Sequence, residues 1–280
     1  MTFILQWGIA LICLFGLHDG AAAQPSAPDQ PVIRLTSAEW PPYSGSALPE
    51  NGASTAVIRA ALAAVGYRLE VAFFPWRRTV AAAGGDSRFI GYFPEYLSDE
   101  VLRDCQLSDP IGTGPLGLAE RADAPVSWRS LEDLSRYTIG IVDGYVNTRA
   151  LDRRVRDGKQ PADSAHNDAQ NLIKLAAGRF PLAVVDKRVF EYLMRNDPQL
   201  KKIARQLRIS NHLLEEKQLY VCFRRDEQGK QARRILNEGL KRIDTPTVMA
   251  ASLKRIVSEP LPLPRAPSTM NNGTEDRNEH

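Results

Sequence analysis

Two aromatic stations, Trp40-Pro41-Pro42-Tyr43 and Phe74-Pro75-Trp76-Arg77-Arg78, flank a strand–helix–strand stretch, and Ser108-Asp109-Pro110 follows them. An aromatic face holds aliphatic stems and attracts cations by roughly 0.5 to 2 kcal/mol, so this order suits a clamp on a small molecule. Core packing is the alternative for both tryptophans. Tyr43 is expected to be structural, because the double proline fixes the turn before it. Arg77 and Arg78 stand at a helix start, where an anion is already favoured; for them the alternative is plain surface solvation.

Other chemistries find little support. His166 and His212 lack an HxxH-type partner, and neither a nucleophile elbow nor a P-loop is present. Cys105 and Cys222 show no CxxC spacing and cannot make a metal site alone. No metal, no cofactor and no catalysis are therefore expected. A formal charge of +3, with 36 Lys and Arg scattered among 33 carboxylates, is too mild for nucleic-acid binding. The densest basic clusters, Arg153-Arg154-Arg156 and Lys201-Lys202 with Arg205 and Arg208, read as solvated helix faces.

Residues 3–17 form an apolar run, followed by Ala21-Ala22-Ala23. This is the pattern of an export leader cleaved after Ala23, although no Lys or Arg precedes it. The run is short of the roughly 20 apolar residues of a membrane span. Cys13 leaves with the leader. In an oxidising compartment Cys105 and Cys222 could form a disulfide, or remain as two buried thiols.

These stations are positioned by alternating elements. A strand is expected over 32–36, a helix over 54–65 capped by Ser54 and ended by Gly66, a strand over 68–73, a helix over 76–83 and a strand over 89–93. The pattern then restarts: a helical turn over 130–134, a strand over 137–142, a helix over 148–156, a polar loop over 157–163, a helix over 169–177, a buried strand over 181–186 and a helix over 189–195. Residues 218–223 read as a strand, and 232–243 and 248–257 as helices. Such alternation predicts an α/β protein whose mainly parallel sheets are flanked by helices. Residues 258–280 carry four prolines and then polar residues, and are expected to be a disordered tail.

The chain resembles the bacterial extracellular solute-binding proteins of family 3, periplasmic receptors that serve polar amino-acid ABC transporters. The resemblance rests on residues 37–43 (SAEWPPY), Ser108-Asp109-Pro110, Leu131-Glu132-Asp133-Leu134 with 139–144 (IGIVDG), and residues 177–186 (AGRFPLAVVD). It implies a two-lobed, type II periplasmic-binding-protein fold. A first lobe would comprise 30–116 and a return segment 213–257, and a second lobe 117–212. Crossings are expected near 114–119 and 209–219, which would place Cys105 and Cys222 in one lobe.

The resemblance also implies site residues. Trp40 and Trp76 would sandwich the ligand. The stretch after the third strand, which includes Phe93 and runs over 91–100, lacks the Thr-x-x-Arg whose arginine holds the ligand carboxylate, so Arg77 or Arg78 could substitute. Tyr145, Asn147 and Thr148 would supply polar groups from the second lobe, and Asp186 would meet the ligand's ammonium unless Lys187 or Arg188 binds it first. The function implied is periplasmic capture of a small polar, amine-bearing solute by a monomer, for delivery to an ABC-type permease. A sensing role at a membrane receptor, or a dehydratase using Glu39 or Asp186, are the alternatives.

Overall fold

The computed structural model describes residues 30–258. The leader and the expected tail beyond Ser258 lie outside the described residues. The elements are β1 (Val32–Ser37), α1 (Ala53–Ala63), β2 (Arg68–Phe73), α2 (Trp76–Gly85), β3 (Gly91–Tyr96), α3 (Asp99–Asp104), β4 (Gln106–Leu107), β5 (Gly112–Arg121), β6 (Ile139–Val142), α4 (Arg149–Arg156), β7 (Ala162–Ala165), α5 (Asp168–Ala176), β8 (Leu182–Asp186), α6 (Lys187–Asn196), α7 (Leu200–Ile203), β9 (Leu207–Phe223), α8 (Glu227–Leu240) and α9 (Thr245–Ser258).

The strands join in the order β2-β1-β3-β9-β5-β8-β6-β7, with β4 also on β9. β1 runs parallel to β2 and β3 at one end, and β6 runs parallel to β7 and β8 at the other. Between these groups β5 and β9 pair antiparallel from Gly112↔Leu219 to Arg121↔Leu207, with register shifts around Gly117.

The burial of each strand follows its place in the sheet. In β1 the apolar Ile33 and Leu35 are buried and Arg34 is exposed, as expected of one covered face. β8 is buried throughout, sitting between β5 and β6. Helices α8 and α9 pack on α1. That contact is close at Gly239, where a side-chain carbon would strike the backbone of Ala61.

Several elements differ from expectation for identifiable reasons. Helix α1 starts at Ala53 with Gly52 as its N-cap, and the Ser54 hydroxyl makes no hydrogen bond. The third strand lies at 91–96, beyond the expected 89–93, because Phe89 turns edge-on to Phe74 instead of entering the sheet. The helical turn expected over 130–134 is present, as consecutive hydrogen-bonded turns over 131–136. The expected polar loop over 157–163 contains the start of β7, an edge strand of sequence ADSA that has no apolar alternation to read. β9 starts at Leu207, eleven residues before the strand expected at 218, because its polar run hides it.

Cys105, at the end of α3, is joined by a disulfide to Cys222 in β9, with Cα atoms 5.6 Å apart. The bridge closes a loop with a sequence separation of 117. Replacing both cysteines with serine is expected to lower unfolding stability by about 2 to 4 kcal/mol, measured by urea denaturation. An unchanged midpoint would contradict this.

Candidate functional site

In open parallel sheets, ligands bind beyond the carboxyl ends of the strands, and here those ends converge. Trp40 follows β1, Trp76 follows β2, and Glu95 and Tyr96 end β3. From the other group, Tyr145 follows β6, Asp168 follows β7 and opens α5, and Asp186 ends β8 and caps α6. Trp40, Trp76, Glu95, Tyr96, Tyr145 and Val146 line an inner cavity of about 30 Å³. Its outer neighbour is a groove of about 610 Å³ that shares Trp76, Glu95, Tyr145 and Val146 with it.

The aromatic rings fill the space between the two groups. Trp40 stacks on Tyr43 at 4.7 Å and meets Tyr96 and Tyr145 edge-on. Trp76 meets Tyr92 and Tyr145 edge-on, and its indole N–H donates to Gly144 O at 2.9 Å. Tyr145 thus occupies the place between the two tryptophans. The cleft is closed on itself, leaving an inner space that would hold about one or two waters.

Closure also buries charge. Asp186 is 2 % exposed and accepts from the Tyr43 hydroxyl at 3.1 Å, the Tyr96 hydroxyl at 3.2 Å and the backbone N–H groups of Arg188 and Val189. The Arg188 guanidinium donates to Thr113 O and to the Tyr43 hydroxyl. A side chain on Gly114 would collide with the Asp186 carboxylate and the Tyr96 hydroxyl, so glycine is needed there. Burial pushes Asp186 up to about 7, against the pull of these donors.

Two further acids share this setting. Asp168 is pushed up to about 7 by burial and then by neighbouring Asp186, with Trp40 and Tyr145 acting in the opposite sense. The Trp40 indole N–H nevertheless stops short of a hydrogen bond with any protein acceptor. Glu95 accepts from the Tyr92 hydroxyl at 3.0 Å and the Tyr96 N–H at 2.7 Å. Burial lifts it to about 7, while Tyr96, Tyr92 and Lys217 oppose that rise.

The remaining expected residues lie as follows. Arg78 is exposed, its guanidinium 4.6 Å from the centre of the Phe74 ring, and it lines neither cavity. Arg77 pairs with Asp143 at the surface. Phe93 is fully buried in the core. Asn147 is held by Asp152, and Thr148 caps α4. Exposed Glu39 turns to the Ser46 N–H. Arg103, on the helix that follows the third strand, faces solvent beside Glu100. Sequence reasoning missed Glu95, Tyr96 and Asp168. Glu95 and Tyr96 lay just past a strand placed too early, and Asp168 followed a strand taken for a loop.

Comparison with solved structures defines the architecture as the two-lobed type II periplasmic-binding-protein fold. A histidine kinase sensor domain with similarity to periplasmic binding proteins aligns at TM-score 0.67 and 18% identity, covering 83% of this chain and 99% of that one. The Bordetella pertussis BvgS VFT2 domain, as a double mutant, aligns at 0.65 and 18%, covering 81% and 93%. The substrate-binding protein of an amino acid ABC transporter aligns at 0.62 and 15%, covering 81% and 100%. Neither the family models nor the curated proteins give a match. Among the described residues there is no group of side chains able to hold a metal ion and no helix long and apolar enough to cross a membrane.

The acids make a pH prediction. Their folded values near 7 exceed the ordinary values of 3.8 and 4.5, so the native state holds more protons than the unfolded chain across that window. Their contribution to stability is therefore lost as pH rises from about 4 to 7. Asp168→Asn is expected to stabilise the ligand-free protein by about 1 kcal/mol or more at pH 8 and to change little at pH 5. Thermal unfolding at the two pH values checks this, and equal effects at both would contradict it.

Proposed function

We propose that this chain is an extracytoplasmic solute-binding protein of the family 3 kind, which captures a small polar, amine-bearing solute between its lobes and delivers it to an ABC-type permease. The single observation that carries this reading is the convergence of Trp40, Trp76, Tyr145 and Glu95 from both strand groups on one cleft, with buried Asp168 and Asp186 behind its aromatic rings. The hinge lies where β5 and β9 lose their register around Gly117, which is paired with Leu213. That irregularity supports a division of the lobes at 116/117 and 212/213. The leader directs the protein out of the cytoplasm.

Capture requires opening, because the inner cavity is too small for a metabolite. Direct contacts between the strand groups hold the closed form: Trp76 to Gly144, Arg77 to Asp143, Arg149 to Asp99 and Arg156 to Glu100. The ion pairs among them are exposed, so each contributes little and is screened by salt. The desolvated aromatic cluster and the carboxylates decide the balance, and a solute shifts it through contacts made only on closure.

A sensing role is the second reading, favoured by the likeness to a histidine kinase sensor domain and to the BvgS VFT2 domain. In that case the closed form docks on a membrane receptor instead of a permease.

Native mass spectrometry of protein purified from its producing cells is expected to show a bound small molecule. Small-angle scattering should show expansion when that molecule is removed, and Trp76→Ala should weaken its rebinding at least about tenfold, the equivalent of roughly 1.4 kcal/mol. No bound molecule, together with a radius of gyration indifferent to added solutes, would overturn the reading.

A further inference from the structure

We propose that the solute is an organic cation without a carboxylate, an aliphatic amine or guanidine, and that Glu95 is the residue that binds it. This rests on the solute-binding reading above and names the ligand class for the same cleft.

Glu95 lines both the inner cavity and the outer groove. It stands at the end of β3, within the 91–100 stretch where the resemblance calls for groups that hold a ligand carboxylate. An acid there reverses the charge the site can accept. The cations of the cleft do not restore it. Arg156 and Arg224 line the outer groove but are paired with Glu100 and Asp226, although the buried Nε of Arg224 has no partner. Arg188 is engaged by Thr113 and Tyr43. Lys217 lies beside Glu215 and over the Tyr96 ring. A ligand carboxylate in the inner cavity would therefore meet Glu95, with no Lys or Arg among the residues that line that cavity, and burying an unpaired anion is costly.

An amine meets the opposite conditions. Asp186 is saturated by four donors, whereas Glu95 has only the Tyr92 hydroxyl and the Tyr96 N–H as close partners. Trp40 lines the same cavity, is 9 % exposed, and keeps a buried indole N–H without an acceptor. Ionised Asp168, toward which it leans, is the acceptor it needs, and a cation in the cleft favours that ionised state. The rings of Trp76, Tyr92 and Tyr145 line the outer groove, suited to an alkyl stem. Asp104 and Asp152 line it as well, and Asp104 has no ion-pair partner among the described residues.

Uptake of the cation is coupled to proton release. The groups facing Glu95 are Tyr92 and Tyr96 on its own strand, Lys217 on β9 and Tyr145 after β6; Asp168 faces Asp186, Trp40 and Tyr145. Burial leaves Glu95 partly protonated at neutral pH, so a bound amine must displace that proton, and affinity falls as pH drops below about 7.

Isothermal titration calorimetry with putrescine, agmatine, arginine and glutamate tests this at pH 8 and pH 6. Putrescine or agmatine should bind at least about tenfold more tightly than either amino acid at pH 8, and should weaken about tenfold or more at pH 6. Glu95→Gln should lose at least about tenfold in amine affinity together with most of the pH dependence. For the wild type, titration in buffers of different protonation enthalpy reads the released proton directly, whether or not the variant folds. Tighter binding of arginine or glutamate, with closure, would overturn the cation proposal while leaving solute binding intact. Amine affinity that is independent of pH and of Glu95→Gln would overturn it too. Failure of all four probes to bind would also reject it, whereas the solute-binding reading falls only if no small molecule is found at all.

Discussion

The burial of three carboxylates where the two strand groups meet is the constraint on which the closed form depends. Asp168, Asp186 and Glu95 are each brought to the interface by the end of a different strand, and burial is the largest influence on all three. An unpaired buried charge is among the most expensive features a fold can carry. Asp186 is accommodated by two tyrosine hydroxyls and the first N–H groups of α6, at a spot that only glycine at 114 leaves open. The other two acids are not equally provided for, which is why the cleft is poised to take a cation or a proton.

The aromatic residues give this poise its shape. With Tyr145 between Trp40 and Trp76, the protein supplies its own occupant of the clamp. Burial of these rings favours closure, and ionisation of the acids opposes it. A solute that displaces Tyr145 while neutralising Glu95 would relieve the opposing term and replace part of the favourable one. The exposed ion pairs at the rim fix the register of closure more than its energy.

Much of this was legible in the sequence, and the rest was hidden for physical reasons. Trp40 and Trp76 were marked by their prolines, and β2 and β8 by alternation and by an unbroken apolar run. The fold followed from the order of such segments. Asp186 was found as a carboxylate ending an apolar strand, but its partners Tyr43 and Tyr96 are distant in sequence, and no local pattern shows that they would engage it. Asp168 was missed because β7 is a polar edge strand. Glu95 was missed because Phe89 suggested an earlier third strand, and because Pro94 does not announce that the strand continues past it. The disulfide was left open by the sequence, since two cysteines in one lobe could equally remain reduced.

The most direct test of this account is to follow the side-chain carboxyl resonances of Glu95, Asp168 and Asp186 by carbon-13 NMR during a pH titration of the ligand-free protein. The account predicts that all three titrate near pH 7, and that Glu95 titrates lower when putrescine or agmatine fills the cleft. Ordinary titration of the three near pH 4 in the ligand-free protein would contradict it.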